Sequence, residues 1–536
     1  MIRFSGSSLP HLLLLILAAG LMLAAGCTMF PPQHPDAAGD QDGGGSAGSS
    51  QNFTAPDETQ MQAILSDFDR YAERARQDWK VPGIAVAIVK DDRVIFLKGY
   101  GVKTEGGNDP VTPDTIFQTG SDTKAFTAAV VATEVDRGTL RWDDPVVARY
   151  PDFALYEPAD TRNFTITDSM THRSGLPDHW GDDLGMLGYD QDYILHAVRY
   201  VPPQYNLRSG YSYENVLYML PVGIVRNSTG QSWQEILGSR IFGPLHMTNS
   251  SADYASFVSA GDVATPHTFR AGPDGSLVST PIQSRSIMNT FSYMQPGASG
   301  VNSNARDMAA WLRFQLGNGT SDGTRIVSSE GMRYMHSPQT LMPVTSSRKE
   351  YYCLGWVYQE MPASPVLFHS GATGGFRSMV LLVPDQDLGI VILTNNGLSE
   401  LPDVLAWQFY ARYYGNSTLD LAGLMQSSAE AHVEETVNPT LPVPASPQPS
   451  LPLASLAGTY HNDIYGNVQV AEDAGALNVT IGPREVELHM VHRDGNTFIL
   501  PASEFFTGIA SFGVDSGGTV RNLTLPLERP ALFTRV

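Results

Sequence analysis

Residues 116–124, IFQTGSDTK, run directly into the apolar stretch AFTAAVVA at residues 125–132. No Gly or Pro follows before Gly138, which predicts a buried helix. Ser121 and Lys124 lie three positions apart and therefore share one helix face. Because a helix N-terminus offers free backbone N–H groups and a positive dipole end, a serine there can be activated by the lysine while the backbone holds an oxyanion. The stretch predicts a nucleophilic hydrolase.

The pattern S-x-x-K is loose, and the chain contains it twice. The second match, Ser346-Ser347-Arg348-Lys349, lies in a polar loop with no apolar helix after it, and we interpret it as chance. For Ser121 the alternative is an N-cap serine followed by a solvated lysine. Two later triplets, Tyr213-Glu214-Asn215 and His369-Ser370-Gly371, favour the catalytic interpretation. Each triplet is weak alone, so their order and their flanking residues carry the argument.

In this order the three motifs resemble those of the serine β-lactamase and penicillin-binding-protein-like hydrolases. More narrowly, the chain resembles the class C-like branch that includes esterases, D-amino-acid peptidases and DD-peptidase-like proteins. Further matches extend the resemblance over roughly residues 60–415: VPG at 81–83, THRSGLP at 171–177, Gly297 to Asp307 and LGW at 354–356. The resemblance implies an α/β (α+β) fold, in which a mixed antiparallel sheet flanked by helices adjoins a helical lobe and the active site lies between them.

The resemblance also implies a mechanism in which Ser121 Oγ attacks a carbonyl and forms an acyl-enzyme. Either Lys124 or Tyr213 takes its proton. The sequence leaves that choice open, because a buried lysine with a lowered pKa and a phenolate beside the lysine both fit. Asn215 is expected to orient the lysine and to contact a substrate amide. The mechanism needs no metal and no organic cofactor.

The third motif is expected to bind substrate. The backbone N–H groups of Ser121 and Ala372 would form the oxyanion hole, with Gly371 beside them and His369 at the head of the motif. In β-lactamases this motif usually starts with lysine, which helps to bind the substrate carboxylate. Because a neutral imidazole is a weaker anion anchor, His369 argues against efficient β-lactam hydrolysis. His172 is expected to brace the loop below the site.

Three functions fit these residues. The main prediction is a serine hydrolase that cleaves an ester, amide or D-amino-acid peptide bond. The second is a cell-wall DD-carboxypeptidase or a β-lactamase. The third is a penicillin- or peptidoglycan-binding sensor that is acylated without turnover. All three depend on Ser121, so the motif alone does not separate them, and each implies a small-molecule or peptide substrate as the partner.

The first residues predict export. Arg3 precedes the apolar run 12–25, which is too short for a membrane span and is typical of a signal peptide. Residues 23–27, LAAGC, resemble a bacterial lipobox, which implies cleavage before Cys27 and lipidation of its sulfur. Ordinary cleavage near Ala25 is the alternative. We expect an exported protein that is lipid-anchored to a bacterial membrane, on its periplasmic or cell-surface side, with residues 28–56 as a disordered tether.

The net charge of the chain excludes further classes of binding partner. The net charge of −21 and the pI of about 4.9 argue against nucleic acid and against anionic surfaces. The lipid anchor is therefore the only membrane contact that we expect. The sequence leaves the oligomeric state open.

Composition shifts divide the rest of the chain into three parts. We predict a hydrolase domain at residues 57–437, a Pro-rich linker at 438–452 and a small all-β domain at 453–536, which resembles the lipocalin-like barrel appended to many such hydrolases. The predicted elements of the first part are a helix at 58–78, a hairpin at 83–101, strands at 366–369, 376–383 and 389–394, and a closing helix at 401–414. This pattern indicates one sheet built from both ends of the domain, not a series of βαβ units.

Overall fold

The computed structural model describes residues 53–283, 286–344, 348–501 and 506–536. The predicted signal peptide, Cys27 and nearly all of the predicted tether lie outside these ranges. The described helices begin with α1 and continue to α16 in chain order: Glu58–Asp78, Thr123–Asp136, Val146–Arg149, Pro158–Asn163, Ile166–Ser169, Asp182–Met186, Gln191–Ala197, Met219–Thr229, Trp233–Leu237, Tyr254–Ser259, Pro296–Ser299, Ala305–Leu316, Ser329–His336, Leu401–Tyr413, Leu421–Val437 and Leu453–Leu456.

The described strands fall into one large sheet, one barrel and three two-stranded pairs. They are numbered β1 to β22 in chain order: Gly83–Lys90, Arg93–Gly101, Phe117–Gln118, His267–Ala271, Leu277–Pro281, Asn302–Ser303, Thr320–Ser321, Thr324–Arg325, Thr340–Leu341, Glu350–Tyr352, Val357–Gln359, Val366–Ala372, Arg377–Val383, Leu388–Thr394, Gly458–Asn462, Gly466–Asp473, Ala476–Ile481, Val486–Asp494, Thr497–Leu500, Gly508–Val514, Val520–Pro526 and Pro530–Arg535.

The large sheet joins the two ends of the first domain, as predicted. Its strand order is β2-β1-β14-β13-β12-β11-β10-β9, and every neighbouring pair is antiparallel. Strands β9 to β11 at one edge were not predicted. They are two or three residues long, which is too short for an alternating pattern to stand out.

Strand β1 shows that both faces of this sheet are buried. Successive side chains of a strand point to opposite faces. Ile84 and Val86 therefore pack with α1 and α14, whereas Ala85 and Ala87 join the core that contains α2 and α12. Because both faces are covered, the sequence of this strand, GIAVAIV, does not alternate between apolar and polar residues.

Helix α2 runs through the centre of the first domain. All of its residues from Thr123 to Glu134 are buried, and Phe126 stacks on Trp311 of α12 with 3.8 Å between ring centroids. The predicted buried helix after Ser121 is therefore confirmed. Its burial places the amine of Lys124 in the protein interior, which affects its protonation.

Helix α15 is the main element that the sequence reasoning missed. It follows the closing helix α14 and packs against it through Leu421, Met425 and Ala429. Its first turn is capped by Asp420, whose side chain accepts a hydrogen bond from the Gly423 N–H. The second half of the helix reaches the cleft described below.

The last eight strands, β15 to β22, close into an antiparallel barrel, which confirms the predicted all-β domain. Inward-facing aromatic rings fill it, including Tyr460, Phe498, Phe512 and Phe533. Strands β15 and β22 were not among the predicted segments, and their pairing closes the barrel. In the ranges that the structure describes, no helix is long and apolar enough to cross a lipid bilayer.

Candidate active site

Ser121 and Lys124 meet where a 3₁₀ turn, Gly120–Asp122, leads into α2. Lys124 Nζ lies 3.1 Å from Ser121 Oγ, 2.7 Å from Asn215 Oδ1 and 3.2 Å from the Ala298 carbonyl oxygen. The Lys124 side chain has no exposed surface. The structure thus brings the predicted residues Ser121, Lys124 and Asn215 together, and the orienting role of Asn215 stays a prediction.

Burial lowers the pKa of Lys124 to about 7, although the negative charge of Asp182 opposes part of this shift. A neutral amine has two N–H donors and one lone pair. Those two donors match Asn215 Oδ1 and the Ala298 carbonyl, which leaves the lone pair directed at Ser121 Oγ. The surroundings of Nζ therefore suit the unprotonated form of the lysine.

Tyr213 approaches the nucleophile from the other side. Its hydroxyl donates to Ser121 Oγ at 2.8 Å, and Lys124 Nζ lies 4.6 Å from the centre of its ring. Burial holds the pKa of Tyr213 well above its usual value, so the phenol keeps its proton. His172 contacts it: its ring lies 4.3 Å from that of Tyr213, and its Nδ1 accepts from the Glu214 N–H.

Two glycines allow β12 to lie against the turn that carries the nucleophile. Gly120 has a φ of +53°, and a Cβ there would lie 2.5 Å from the Ala372 nitrogen. At Gly371 a Cβ would lie 1.9 Å from the Thr119 carbonyl oxygen. No other residue type fits at either position without moving the backbone. The close approach places the Ala372 backbone nitrogen beside Gly120 and the Ser121 backbone nitrogen beside Gly371, and their role as an oxyanion hole stays a prediction.

His369 is buried and uncharged at the edge of the same cleft. Its Nδ1–H donates to the Ser370 carbonyl at 2.8 Å, and its Nε2 accepts from the Tyr352 hydroxyl at 3.0 Å. Burial lowers the pKa of His369 to about 3, and the nearby Lys124 adds to that effect. The imidazole therefore carries no positive charge with which to bind a substrate anion at neutral pH.

Asp182, at the start of α6, is a site residue that the sequence reasoning missed. Its Oδ2 accepts from Asn215 Nδ2 and from His179 Nδ1, both at 2.9 Å, and its Oδ1 accepts from Gln295 Nε2 at 2.8 Å. Asn215 thus connects Asp182 to Lys124. One N–H group of the Asn215 amide is used in this way, and its predicted contact with a substrate amide stays a prediction.

The cleft in front of Ser121 encloses about 230 Å³. Its walls are largely apolar and aromatic: Tyr211, Phe291, Met342, Tyr352, Phe368 and Leu398. Two guanidinium groups, those of Arg348 and Arg377, also line it, each paired with an acidic side chain. Helix α15 adds His432 and Thr436. The cleft can hold a substrate with a substantial apolar portion next to the nucleophile.

Comparison with known proteins gives matches over both domains. The family model described as Beta-lactamase matches residues 68–414, and one described as a domain of unknown function (DUF3471) matches residues 443–535. A protein named Unguisins hydrolase ungD, from Aspergillus violaceofuscus, is 27% identical over 80% of this chain and 80% of its own length. Penicillin-binding protein 4 of Amycolatopsis lactamdurans is 29% identical over 72% of this chain and 95% of its own length.

A solved structure shares the fold. The octameric penicillin-binding protein homologue from Pyrococcus abyssi superposes with a TM-score of 0.56 at 21% identity, and the match covers 88% of this chain and 100% of that chain. At this identity the similarity concerns the fold alone. The predicted combination of an antiparallel sheet, flanking helices and a C-terminal barrel agrees with these matches.

Proposed function

The chain belongs to the beta-lactamase family, whose members are serine hydrolases, and we propose that it cleaves an ester, amide or D-amino-acid peptide bond through an acyl-enzyme on Ser121. One observation carries the proposal: Ser121 Oγ lies within hydrogen-bonding distance of both Lys124 Nζ and the Tyr213 hydroxyl. A nucleophile that faces a base and an acid at once is the arrangement that acyl transfer requires.

In this proposal Lys124 is the base of the acylation step. With a pKa of about 7, about half of the Lys124 side chains are unprotonated at pH 7, whereas Tyr213 keeps its phenolic proton. Ser121 Oγ attacks the carbonyl carbon and passes its proton to Lys124 Nζ. The Tyr213 hydroxyl donates a proton to the leaving atom, and the Lys124 ammonium then returns a proton to Tyr213. Every group except Ser121 is restored.

The oxyanion that forms during this step needs preorganised donors. The backbone N–H groups of Ser121 and Ala372 are the proposed pair, and one such donor contributes about 3–4 kcal/mol to the transition state. Water then attacks the acyl carbon and passes one proton to Lys124 Nζ; the Lys124 ammonium returns that proton to Ser121 Oγ as the ester bond breaks and the acid product leaves.

A second candidate is reaction with penicillin, as a slow β-lactamase, a cell-wall peptidase or a sensor. The match to a protein named penicillin-binding protein favours it. Neutral His369, where β-lactamases usually have lysine, argues for slow turnover. The β-lactamase, the peptidase and the sensor differ in what happens after acylation, so they predict different lifetimes for the adduct on Ser121.

The test compares a p-nitrophenyl ester and penicillin as substrates for residues 57–536. Three proteins are assayed: the wild type, Ser121→Ala, and Ser346→Ala as a control that removes the serine of the second S-x-x-K match. We expect ester turnover by the wild type and the control, and none by Ser121→Ala. A long-lived penicillin adduct without ester turnover would favour the sensor. Equal turnover by all three proteins would refute the proposal.

We also propose that the protein is exported and lipid-anchored through Cys27. The support is the sequence LAAGC at residues 23–27, which follows an apolar run. Metabolic labelling with a palmitate analogue, followed by membrane fractionation, tests this. We expect label and membrane association for the wild type and for Thr28→Ala, and neither for Cys27→Ser. An unlabelled, unanchored wild type would indicate ordinary signal cleavage instead.

A further inference from the structure

The barrel touches the hydrolase domain close to the active site. The Tyr465 hydroxyl donates to Asp183 Oδ2 at 2.9 Å, and the Glu528 backbone N–H donates to the same oxygen at 3.2 Å. Asp183 is 1% exposed and Tyr465 is 6% exposed, so this contact is shielded from water. A hydrogen bond to a buried carboxylate is stronger and more directional than one at a surface.

The barrel also holds the other end of the same short helix, α6. The Arg484 N–H donates to the Leu187 carbonyl, just beyond the helix, at 3.0 Å. Gly482, with a φ of +76°, permits this approach, because a Cβ there would lie 2.6 Å from that carbonyl oxygen. The five-residue helix Asp182–Met186 is therefore clamped at both ends by the barrel.

Asp182 is the neighbour of Asp183, but its side chain serves the active site. It accepts from Asn215 Nδ2, and Asn215 Oδ1 in turn accepts from Lys124 Nζ. A continuous chain of hydrogen bonds and one peptide unit thus connects the barrel to the lysine beside the nucleophile. Because both acids belong to one short helix, a displacement of Asp183 also displaces Asp182.

Several ionisable groups converge on this contact. Burial raises the pKa of Asp183 to about 6 and that of Glu528 to about 8, and the two neighbouring aspartates add to the shift at Glu528. The charged or titratable groups that face the contact are Asp178, His179, Asp182 and Tyr189 from the hydrolase domain, and Glu528 and Arg529 from the barrel. Such a buried acidic cluster holds together only while its donors are in place.

We propose that the C-terminal barrel positions the base of the active site: Tyr465 holds Asp183, and α6 thereby holds Asp182 against Asn215 and Lys124. Tyr465 is a positioning residue in this scheme, since it touches neither substrate nor nucleophile. The inference rests on the proposed function for its kinetic consequences, but its structural consequence at Lys124 can be measured without any substrate.

The test uses Tyr465→Phe in the full chain, with Tyr460→Phe as the matched control. Both changes remove one buried tyrosine hydroxyl from the barrel, but the Tyr460 hydroxyl donates to the Leu456 carbonyl in α16 of the same domain and not to the hydrolase domain. The chain has six lysines, so ¹⁵N-lysine labelling gives few signals, and Lys124→Met assigns the signal of interest. The pKa of Lys124 and the steady-state kinetics with a p-nitrophenyl ester are measured for each protein.

In Tyr465→Phe we expect the pKa of Lys124 to fall, because the Asp182 carboxylate that favours the ammonium form is no longer held in place. We expect kcat to fall about tenfold with KM little changed, which corresponds to about 1.4 kcal/mol at the transition state. Tyr460→Phe should match the wild type in both measurements. A Lys124 pKa that does not fall in Tyr465→Phe would overturn the inference. Failure of the wild type to turn over the ester would refute the proposed function, and the pKa comparison would still decide the inference.

Discussion

Replacing Asp182 by asparagine removes one negative charge from the site and keeps the shape of the side chain. Three donors converge on the two carboxylate oxygens, from His179, Asn215 and Gln295. An asparagine has one acceptor oxygen, so one or more of these donors would face its NH₂ group. Leaving a buried donor without a partner costs about 1–3 kcal/mol. We expect Asp182→Asn to lose about that much free energy of unfolding.

The larger consequence concerns the protonation of Lys124. Hydrogen bonds of 2.9 and 2.7 Å connect Asp182 to Lys124 through the Asn215 amide. Unit charges about 6 Å apart interact by about 3 kcal/mol when the effective dielectric constant is about 20. That energy equals about two pKa units. Burial lowers the pKa of His179, but the hydrogen bond to Asp182 and the charge of Asp182 raise it by more, so the net change is upward. A positive charge on His179 offsets part of the Asp182 carboxylate charge. We therefore expect the pKa of Lys124 to fall by about one unit.

The assay is the pH dependence of kcat/KM for a p-nitrophenyl ester between about pH 5 and pH 9, which reports the pKa of the essential base in the free enzyme. The midpoint of the acid limb should lie near pH 7 in the wild type and near pH 6 in Asp182→Asn. Asp307→Asn is the control: Asp307 is a buried acid that accepts from Asn249 and Ser250 outside the cleft. It should lose stability without moving the limb. An unmoved limb in Asp182→Asn would refute the role given to its charge.

Two further outcomes follow from the same geometry. Tyr213→Phe removes the hydroxyl that donates to Ser121 Oγ, so we expect kcat to fall about 10²–10⁴-fold, and a loss below about tenfold in rapid-mixing kinetics would exclude Tyr213 as the proton donor. Because the pKa of Glu528 is raised from 4.5 to about 8, its contribution to stability is present below pH 4.5 and is lost as the pH rises through about 8. The melting temperature should therefore fall between pH 6 and pH 9 in the wild type. The exposed control Glu487→Gln should show the same fall, and Glu528→Gln should not.

The three motifs could be located from the sequence because each is a short string at or near the end of an element. Ser121 and Lys124 precede a helix that no Gly or Pro interrupts, and His369 lies in a strand whose register brings Gly371 against the nucleophile's turn. Local sequence determines such placements. The barrel was predictable for a related reason, since strands such as Ala476–Ile481 alternate between inward and outward side chains.

Asp182 could not be found in this way. It belongs to the string GDDLG, in which nothing local distinguishes it from Asp183. Their roles differ because Asn215, 33 positions later, meets the first and Tyr465, 282 positions later, meets the second. The choice between Lys124 and Tyr213 as the base was open for the same reason, because burial and hydrogen-bond partners set their pKa values.

Helix α15 is a different case, because its signal was present in the sequence. Its buried residues Leu421, Met425, Ala429 and Val433 recur every four positions, as the apolar face of a helix does. The helix lies beyond residue 414, where the match to the hydrolase family ends, and yet it contributes His432 to the cleft. Part of the wall of the cleft therefore lies outside the matched region.

The measurement that tests the central claim most directly is the site of acylation. The wild-type protein is mixed with a slowly hydrolysed ester, quenched within milliseconds to seconds, and examined by intact mass and peptide mapping. We predict one acyl group per chain, located on the peptide that contains Ser121 and absent from Ser121→Ala. Ester hydrolysis with no acyl group on Ser121, undiminished in Ser121→Ala, would contradict the account.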